Sequence, residues 1–410
     1  MNFNTSLLHG GVGEYGHGST QTPIYQVSAF SHESSEKLEK VFSNQAAGFA
    51  YSRIGNPTVD AFEKRIAAIE GGIGAVACSS GMAAVTMSLL NLLSAGDEVI
   101  AGSGLFGGTI DLFGDLTQLG ITTRFVDNVT ADSIRALINE HTKAVFAELI
   151  GNPKLDIVDI EKVSEVCHQH GIPLIIDSTT ATPYLVHPFE HGADIVVHSA
   201  SKYINGGGNS ISGIIIDSGN FRWNTAKYSG FAEYKKFGKF AYLAKLRGGI
   251  WRNTGACLSP FNAYMNCVGL ETLGLRMERI CDNALKLAEF LQTQEGITVN
   301  YPALEDNPYF PLVRTQLHGK GGAILTIRAG SKEKAFRLIN NLKYALIATN
   351  IGDVRTLVIH PASTIYLHSD EKQRESAGVY EDTIRVSVGI EDIEDLIEDF
   401  GNAVRLSKEQ

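Results

Sequence analysis

The sequence predicts an α/β fold built on a mostly parallel sheet, followed by a smaller second α/β domain. Three observations carry the prediction. The chain has 410 residues, 44% hydrophobic and 20% charged, a globular composition long enough for two domains at about 100–200 residues each. From about residue 57 to 217, helical patterns alternate with short apolar runs, as βαβ units require. Those runs are apolar throughout rather than at every second residue, which is the pattern of strands covered by helices on both faces.

The elements follow in order. Residues 1–48 hold no long periodic segment and include "HGGVGEYGHGSTQTPIYQ". They read as an extended inter-subunit arm whose few apolar residues need another surface to pack on. A large domain is placed at 49–247. Its first helix lies in "PTVDAFEKRIAAIEGG", with Phe62, Ile66 and Ile69 on one face and an end at Gly71. Strand-sized runs follow in "DEVIAG", "TKAVFAEL", "GIPLIIDST", "ADIVVHS" and "SGIIIDSG". A C-terminal α/β domain is placed at 248–410. It opens with a long helical stretch from Pro260 toward Gln294. The strands "ITVNY", "AILTIR", "TLVIH" and "TIRVSV" come next, interspersed with helices such as "SKEKAFRLINNLKYAL".

Composition also excludes partners. A formal net charge of −10 gives no basic field for a nucleic-acid backbone, and no Lys/Arg-rich stretch is interleaved with aromatics. Cys78, Cys167, Cys257, Cys267 and Cys281 are scattered without CxxC spacing, and "MNFNTSLLHG" lacks the regions of a signal peptide. A reduced, cytoplasmic protein is expected. No apolar run approaches the ~18–20 residues of a membrane span.

Chemistry concentrates at strand ends. "HSASKYINGGG" places Lys202 just past the carboxyl end of a strand, where open α/β sheets bind ligands. Asp177 ends another apolar run, "IPLIIDS", and belongs in the same crevice. The two residues alone also suit a structural ion pair. "CSSGMAAVTMSLLNLL" sets Ser80, Gly81 and Met82 at the start of an apolar helix, whose free N–H groups favour an anion. An ordinary Ser-Gly cap reads the same way. Together the three fit pyridoxal 5'-phosphate: a lysine for the aldehyde, an acid for the ring nitrogen and a helix N-terminus for the phosphate. Ser199 and Ser201 flank the lysine and add hydroxyl donors for that phosphate.

Across nearly the whole chain, "YSRIGNPT", "SSGMAA", "HSASKY", "LSPFNA", "HPAS" and "IRVSVGIED" occur in this order. With these motifs the chain resembles the Cys/Met-metabolism family of fold-type I pyridoxal-phosphate enzymes. Within it, "GACLSPFNAYMNCVGLETLGLRMER", "NIGDVRTLVIHPAST" and "AGVYEDTIRVSVGIED" are most similar to the O-acetylhomoserine sulfhydrylase subgroup.

The resemblance implies a seven-stranded, mostly parallel sheet in the large domain and a homotetramer made as a dimer of dimers with shared active sites. It implies that Tyr51 and Arg53 reach the partner's cofactor phosphate, with Tyr51 also near substrate, although a Tyr-Ser-Arg loop is also an ordinary solvated surface. Asn152 is implied to contact the cofactor's phenolic oxygen and the substrate, and Thr179 to contact the cofactor beside Asp177. An Asn-Pro turn and a cap are the plainer readings of these two. Arg385 is implied to grip the substrate carboxylate, with Thr356 as a further substrate contact. An isolated arginine in an apolar strand demands an anion on its own account.

Three positions depart from the family pattern. Phe106 stands where a tyrosine usually stacks on the cofactor, which keeps a catalytic ring but loses the phenolic proton. Gly108 occupies a position where methionine γ-lyases carry cysteine, and "INGGGNSIS" differs from the usual loop after the lysine. The implied activity is γ-replacement in methionine biosynthesis: O-acetyl-L-homoserine plus sulfide, or another sulfur donor, gives L-homocysteine and acetate. Lys202 serves as the base. A methionine γ-lyase, a cystathionine γ-synthase or O-succinylhomoserine sulfhydrylase, and a non-catalytic binding protein of the same fold are the alternatives.

Overall fold

The computed structural model describes residues 1–43 and 45–408. The helix Pro57–Glu70 forms where its sequence directs. Asn56 caps it by accepting from the Thr58 N–H, Phe62, Ile66 and Ile69 are buried, and Gly71 ends it at φ 82°, a left-handed conformation glycine adopts without strain. Seven strands follow: β1 (Gly74–Cys78), β2 (Glu98–Gly102), β3 (Thr122–Val126), β4 (Thr142–Glu148), β5 (Leu174–Asp177), β6 (Ile195–His198) and β7 (Gly213–Asp217). They form one sheet in the order β1-β7-β6-β5-β4-β2-β3. Only β7 runs against its neighbours, β1 and β6; the other pairings are parallel.

Both faces of this sheet are apolar and covered. On β4, Val145 and Ala147 join one hydrophobic cluster while Ala144 and Phe146 join the other; on β5, Ile176 and Ile175 divide in the same way. This is the physical origin of the continuous apolar runs. β1 and β3 are strands the sequence reading does not pick out. "GAVAC" is made of small residues with little apolar bulk, and "TTRFV" is an edge strand with exposed and half-exposed residues.

The second sheet contains β8 (Thr298–Asn300), β9 (Ile324–Arg328), β10 (Leu346–Ile347), β11 (Leu357–Ile359) and β12 (Thr383–Ser387). Its order is β10-β11-β12-β9-β8, with β10 and β11 parallel and the remaining pairs antiparallel. Leu325, Ile327, Ile384 and Val386 extend the cluster that lies on one face of the first sheet, so an apolar interior runs between the two sheets. The long helical stretch is two helices, Pro260–Glu271 and Leu273–Gln292, broken at Thr272. Just before them, the Trp251 indole donates to the Ala77 carbonyl at 3.0 Å and ties this segment to β1.

The N-terminal stretch differs in part from an extended arm. Phe3–His9 is a helix docked on its own chain: Leu7 is buried, and its carbonyl accepts from Arg65 at 2.8 Å. Residues 23–29, by contrast, are mostly exposed.

Candidate active site

The carboxyl ends of β4, β5 and β6 and the start of β7 open onto a cleft of about 250 Å³, which also receives residues from the second sheet. Lys202 sits in the loop between β6 and β7. Its N–H donates to the Ser199 carbonyl at 3.1 Å, and its own carbonyl accepts from Gly206 at 2.8 Å. The Ser201 hydroxyl donates to the Ser212 carbonyl at 3.0 Å and accepts from the Ser212 N–H at 2.8 Å, which pins the two ends of this loop together. The Lys202 ammonium donates to Asn350 Oδ1 at 2.5 Å. Burial, with a smaller effect from the neighbouring Arg385 charge, brings the amine down to about 8.

Asp177 closes β5 and faces the same cleft. Its Oδ1 accepts from the Thr179 N–H at 2.9 Å. Burial raises its pKa, while the Thr179 hydrogen bonds and nearby His198 oppose the rise. Thr179 does more than cap, since its Oγ1 also accepts from the Ser199 N–H at 2.8 Å and joins the Asp177 turn to the lysine loop.

Ser80 caps the helix Gly81–Leu90 by accepting from the Ala83 N–H at 3.0 Å. The first-turn N–H groups of Gly81 and Met82 have no intrahelical acceptor, and both residues line the cleft. A Cβ on Gly81 would lie 2.5 Å from Ser199 Cβ, and one on Gly213 would lie 2.0 Å from the Ser80 carbonyl oxygen. Only glycine lets the helix start, the lysine loop and β7 approach this closely.

The far side of the cleft carries Phe106, Asn152 and Arg385. Phe106 is 36% exposed, so its ring is available to a flat ligand. Asn152 Oδ1 accepts from Arg385 Nη1 at 3.2 Å. Arg385, on β12, is 3% exposed; its Nη2 donates to the Asn350 carbonyl at 3.1 Å, and its Nε is buried without a partner. Among the described residues no carboxylate pairs with it, and burial lowers it to about 10. A buried guanidinium with an idle N–H and no counter-ion is a receptor for an anion.

Three predicted residues lie outside this cleft. Thr356, expected as a substrate contact, does not line the cleft. It is 0% exposed, its hydroxyl donates to Glu391 at 2.8 Å and accepts from Gly389 at 3.0 Å, and its main chain is engaged by Glu391 and Leu346. It braces the second sheet. Tyr51 and Arg53 are exposed; Arg53 donates to the Arg252 carbonyl at 2.7 Å and lies 5.7 Å from the Tyr51 ring. Asn350 and Glu148 are among the cleft residues that go unnoticed in the sequence reading. Asn350, in "IATNIGD", has no local signal. Glu148 does have one, because like Asp177 it ends an apolar strand.

The residues present fit pyridoxal phosphate. The amine of Lys202, the Asp177 carboxylate and a glycine-tight helix N-terminus with hydroxyls beside it match the aldehyde, ring nitrogen and phosphate in turn. Among the described residues no cluster of His, Cys, Asp and Glu suits a metal, and no helix is long and apolar enough to cross a membrane.

The chain is 42% identical to the O-acetyl-L-homoserine sulfhydrylase of Leptospira meyeri, over 98% of this chain and 96% of that protein. It is 41% identical to the homocysteine synthase of Schizosaccharomyces pombe, over 99% and 98%. A Campylobacter jejuni structure described as an O-acetylhomoserine (thiol)-lyase superposes with a TM-score of 0.92 at 36% identity, over 99% of this chain and 100% of that one, and holds a pyridoxyl-lysine phosphate. The model of the Cys/Met metabolism PLP-dependent enzymes matches residues 4–405. Since that match spans both sheets and the whole of the cleft between them, this chain belongs to the Cys/Met metabolism family of PLP-dependent enzymes.

Proposed function

We propose that this enzyme carries out a γ-replacement, in which O-acetyl-L-homoserine and sulfide, or another sulfur donor, give L-homocysteine and acetate in methionine biosynthesis. The observation that carries the reading is Arg385, a buried cation without an anion that shares Asn350 with the Lys202 amine. An amino acid whose carboxylate occupies that guanidinium sets its α-carbon near a base. The activities named for the Leptospira meyeri and Schizosaccharomyces pombe relatives support the choice of substrate.

Bound pyridoxal phosphate supplies an electron sink for the charge left at the substrate α-carbon. The Gly81 and Met82 N–H groups, with the hydroxyls of Ser80 and Ser199, hold its phosphate; Asp177 holds its ring nitrogen; Phe106 offers a ring face; Thr179 fixes the turn beneath. Ser201 acts one step back, through its bonds to Ser212. Asn152 steadies Arg385 and offers its amide to the cofactor's phenolic oxygen. Lys202, whose amine is buried beside Arg385 in the same cleft, takes the α-proton and returns it further along the chain of the substrate. Phe106 has no phenolic proton to give, which suits acetate, a leaving group that departs as a stable carboxylate.

Exposed Tyr51 and Arg53, outside their own cleft, support a site completed by a neighbouring subunit in a dimer, and a homotetramer made of two such dimers. The five unpaired thiols support a cytoplasmic setting. Steady-state assays test the reaction. Turnover of O-acetylhomoserine with sulfide is expected to exceed that of O-succinylhomoserine with sulfide and of methionine alone; faster cleavage of methionine would overturn it.

A further inference from the structure

The cleft contains an acid that none of these roles uses. Glu148 closes β4 and is the register partner of Asp177 on β5. Two residues earlier on each strand, Phe146 and Ile175 lie in the cluster on one face of the sheet, so strand alternation puts both carboxyl groups on the cleft side. Glu148 Oε1 accepts from the Phe106 N–H at 2.8 Å, and Oε2 accepts from the Asn152 N–H at 3.2 Å. The two amides belong to different loops. Phe106 opens the helix Gly107–Leu116 after β2, whereas Asn152 follows β4 and reaches across to Arg385 with its side chain.

The surroundings of Glu148 do not explain its presence by charge. Among the described residues no Lys, Arg or His forms an ion pair with it, although Lys202 and Arg385 line the same cleft, and the charges that act on it most are those of Asp177 and Asp156. Burial, and then the Asp177 charge, push it well above the usual carboxylate range. An acid kept in such a place without a paired cation is held for what its oxygens touch.

We propose that Glu148 is a positioning residue for the cofactor: its two oxygens brace both loops at once, presenting the Phe106 ring and the Asn152 amide in one fixed relation. The proposal rests on pyridoxal phosphate occupying this cleft and is independent of the sulfur donor. Glu148→Gln keeps the length and one acceptor but turns an NH2 toward an N–H; Glu148→Asp is one methylene short; Glu148→Ala spans neither loop.

The test uses the three variants as holoenzymes and reads the visible circular dichroism of the bound cofactor, cofactor affinity by titration, and KM for the amino-acid substrate. The expected order of dichroism amplitude is wild type, then Gln and Asp, then Ala. In the Ala variant, cofactor affinity falls several-fold and KM rises, while the melting temperature of the cofactor-free protein stays within a few degrees of wild type. An Ala variant with wild-type dichroism and affinity would overturn the proposal. So would a loss of cofactor signal matched by a large fall in the melting temperature of the cofactor-free chain, because Glu148 would then support the fold alone. A wild-type protein without a cofactor band would instead defeat the cofactor assignment, which keeps the two failures apart.

Discussion

Lys202 shows how one side chain's environment makes a reagent. With the amine at about 8 instead of the ordinary 10.5, roughly one amine in ten is neutral at pH 7, against fewer than one in a thousand for a solvated lysine. The neutral amine is the nucleophile toward the cofactor aldehyde. The rate at which cofactor-free enzyme takes up pyridoxal phosphate, followed by the rise of an absorbance band near ~420 nm, is therefore expected to climb with pH and level off near 8. A rate still climbing tenfold per pH unit at 10 contradicts this. Lys202→Ala should abolish the band and collapse turnover without destabilising the cofactor-free chain. Its lowered folded-state value means that the charged form is penalised below about pH 8, and that the penalty is relieved as pH rises toward 10.5. Thr356 makes the opposite case. Because its hydroxyl is spent on Glu391 and Gly389, Thr356→Val is expected to leave KM unchanged and to lower stability by about 1–3 kcal/mol in denaturant melts, the cost of stranding buried polar groups.

At the scale of elements, the site depends on how closely the helix Gly81–Leu90, the Lys202 loop and β7 approach. Gly213→Ala drives a Cβ into the Ser80 carbonyl, which is backbone and cannot swing away, so a lower melting temperature and poor soluble yield are expected. Gly81→Ala meets the Ser199 side chain and pushes the helix start away from the lysine loop. That variant should fold but bind pyridoxal phosphate more weakly, as equilibrium dialysis will show. The elements most legible in the sequence are those whose burial writes itself into composition. β4 to β7 are apolar on both faces, and their ends deliver Asp177 and Lys202 to one cleft as the strand-end argument requires. β3 and β10 are short edge strands with exposed side chains, so neither has the continuous buried apolar run that marks the inner strands. Glu148 was within reach of the argument that selects Asp177, since both end an apolar run and stand in register. Asn350 was not, because only tertiary folding brings the loop after β10 to the lysine. Thr356 lies a few residues from Asn350 in the same segment, yet its side chain turns into the second sheet. Sequence position could not separate the residue that reaches the amine from the one that braces the sheet.

At the scale of the whole molecule, the open matter is what Arg53 serves. It is exposed, donates to the Arg252 carbonyl, lies near the Tyr51 ring, and is not among the described residues that line its own cleft. A guanidinium fork suits a phosphate, and in a shared site that phosphate is the neighbour's. Arg53→Ala is then expected to weaken cofactor binding by about 1.5–3 kcal/mol, the usual worth of a charge-assisted hydrogen bond, with Arg53→Lys recovering only part of the loss. Such losses alone do not say which subunit's cofactor is held. Mixing does. Arg53→Ala chains and Lys202→Ala chains are each weak or inactive, but in a mixed dimer with interlocked sites one site collects both defects and the other has neither. Activity should therefore reappear on mixing under conditions that allow subunit exchange, approaching half that of wild type per mixed dimer. If mass measurement shows that exchange has occurred and activity stays absent, Arg53 acts within its own chain and the interlocked dimer is wrong.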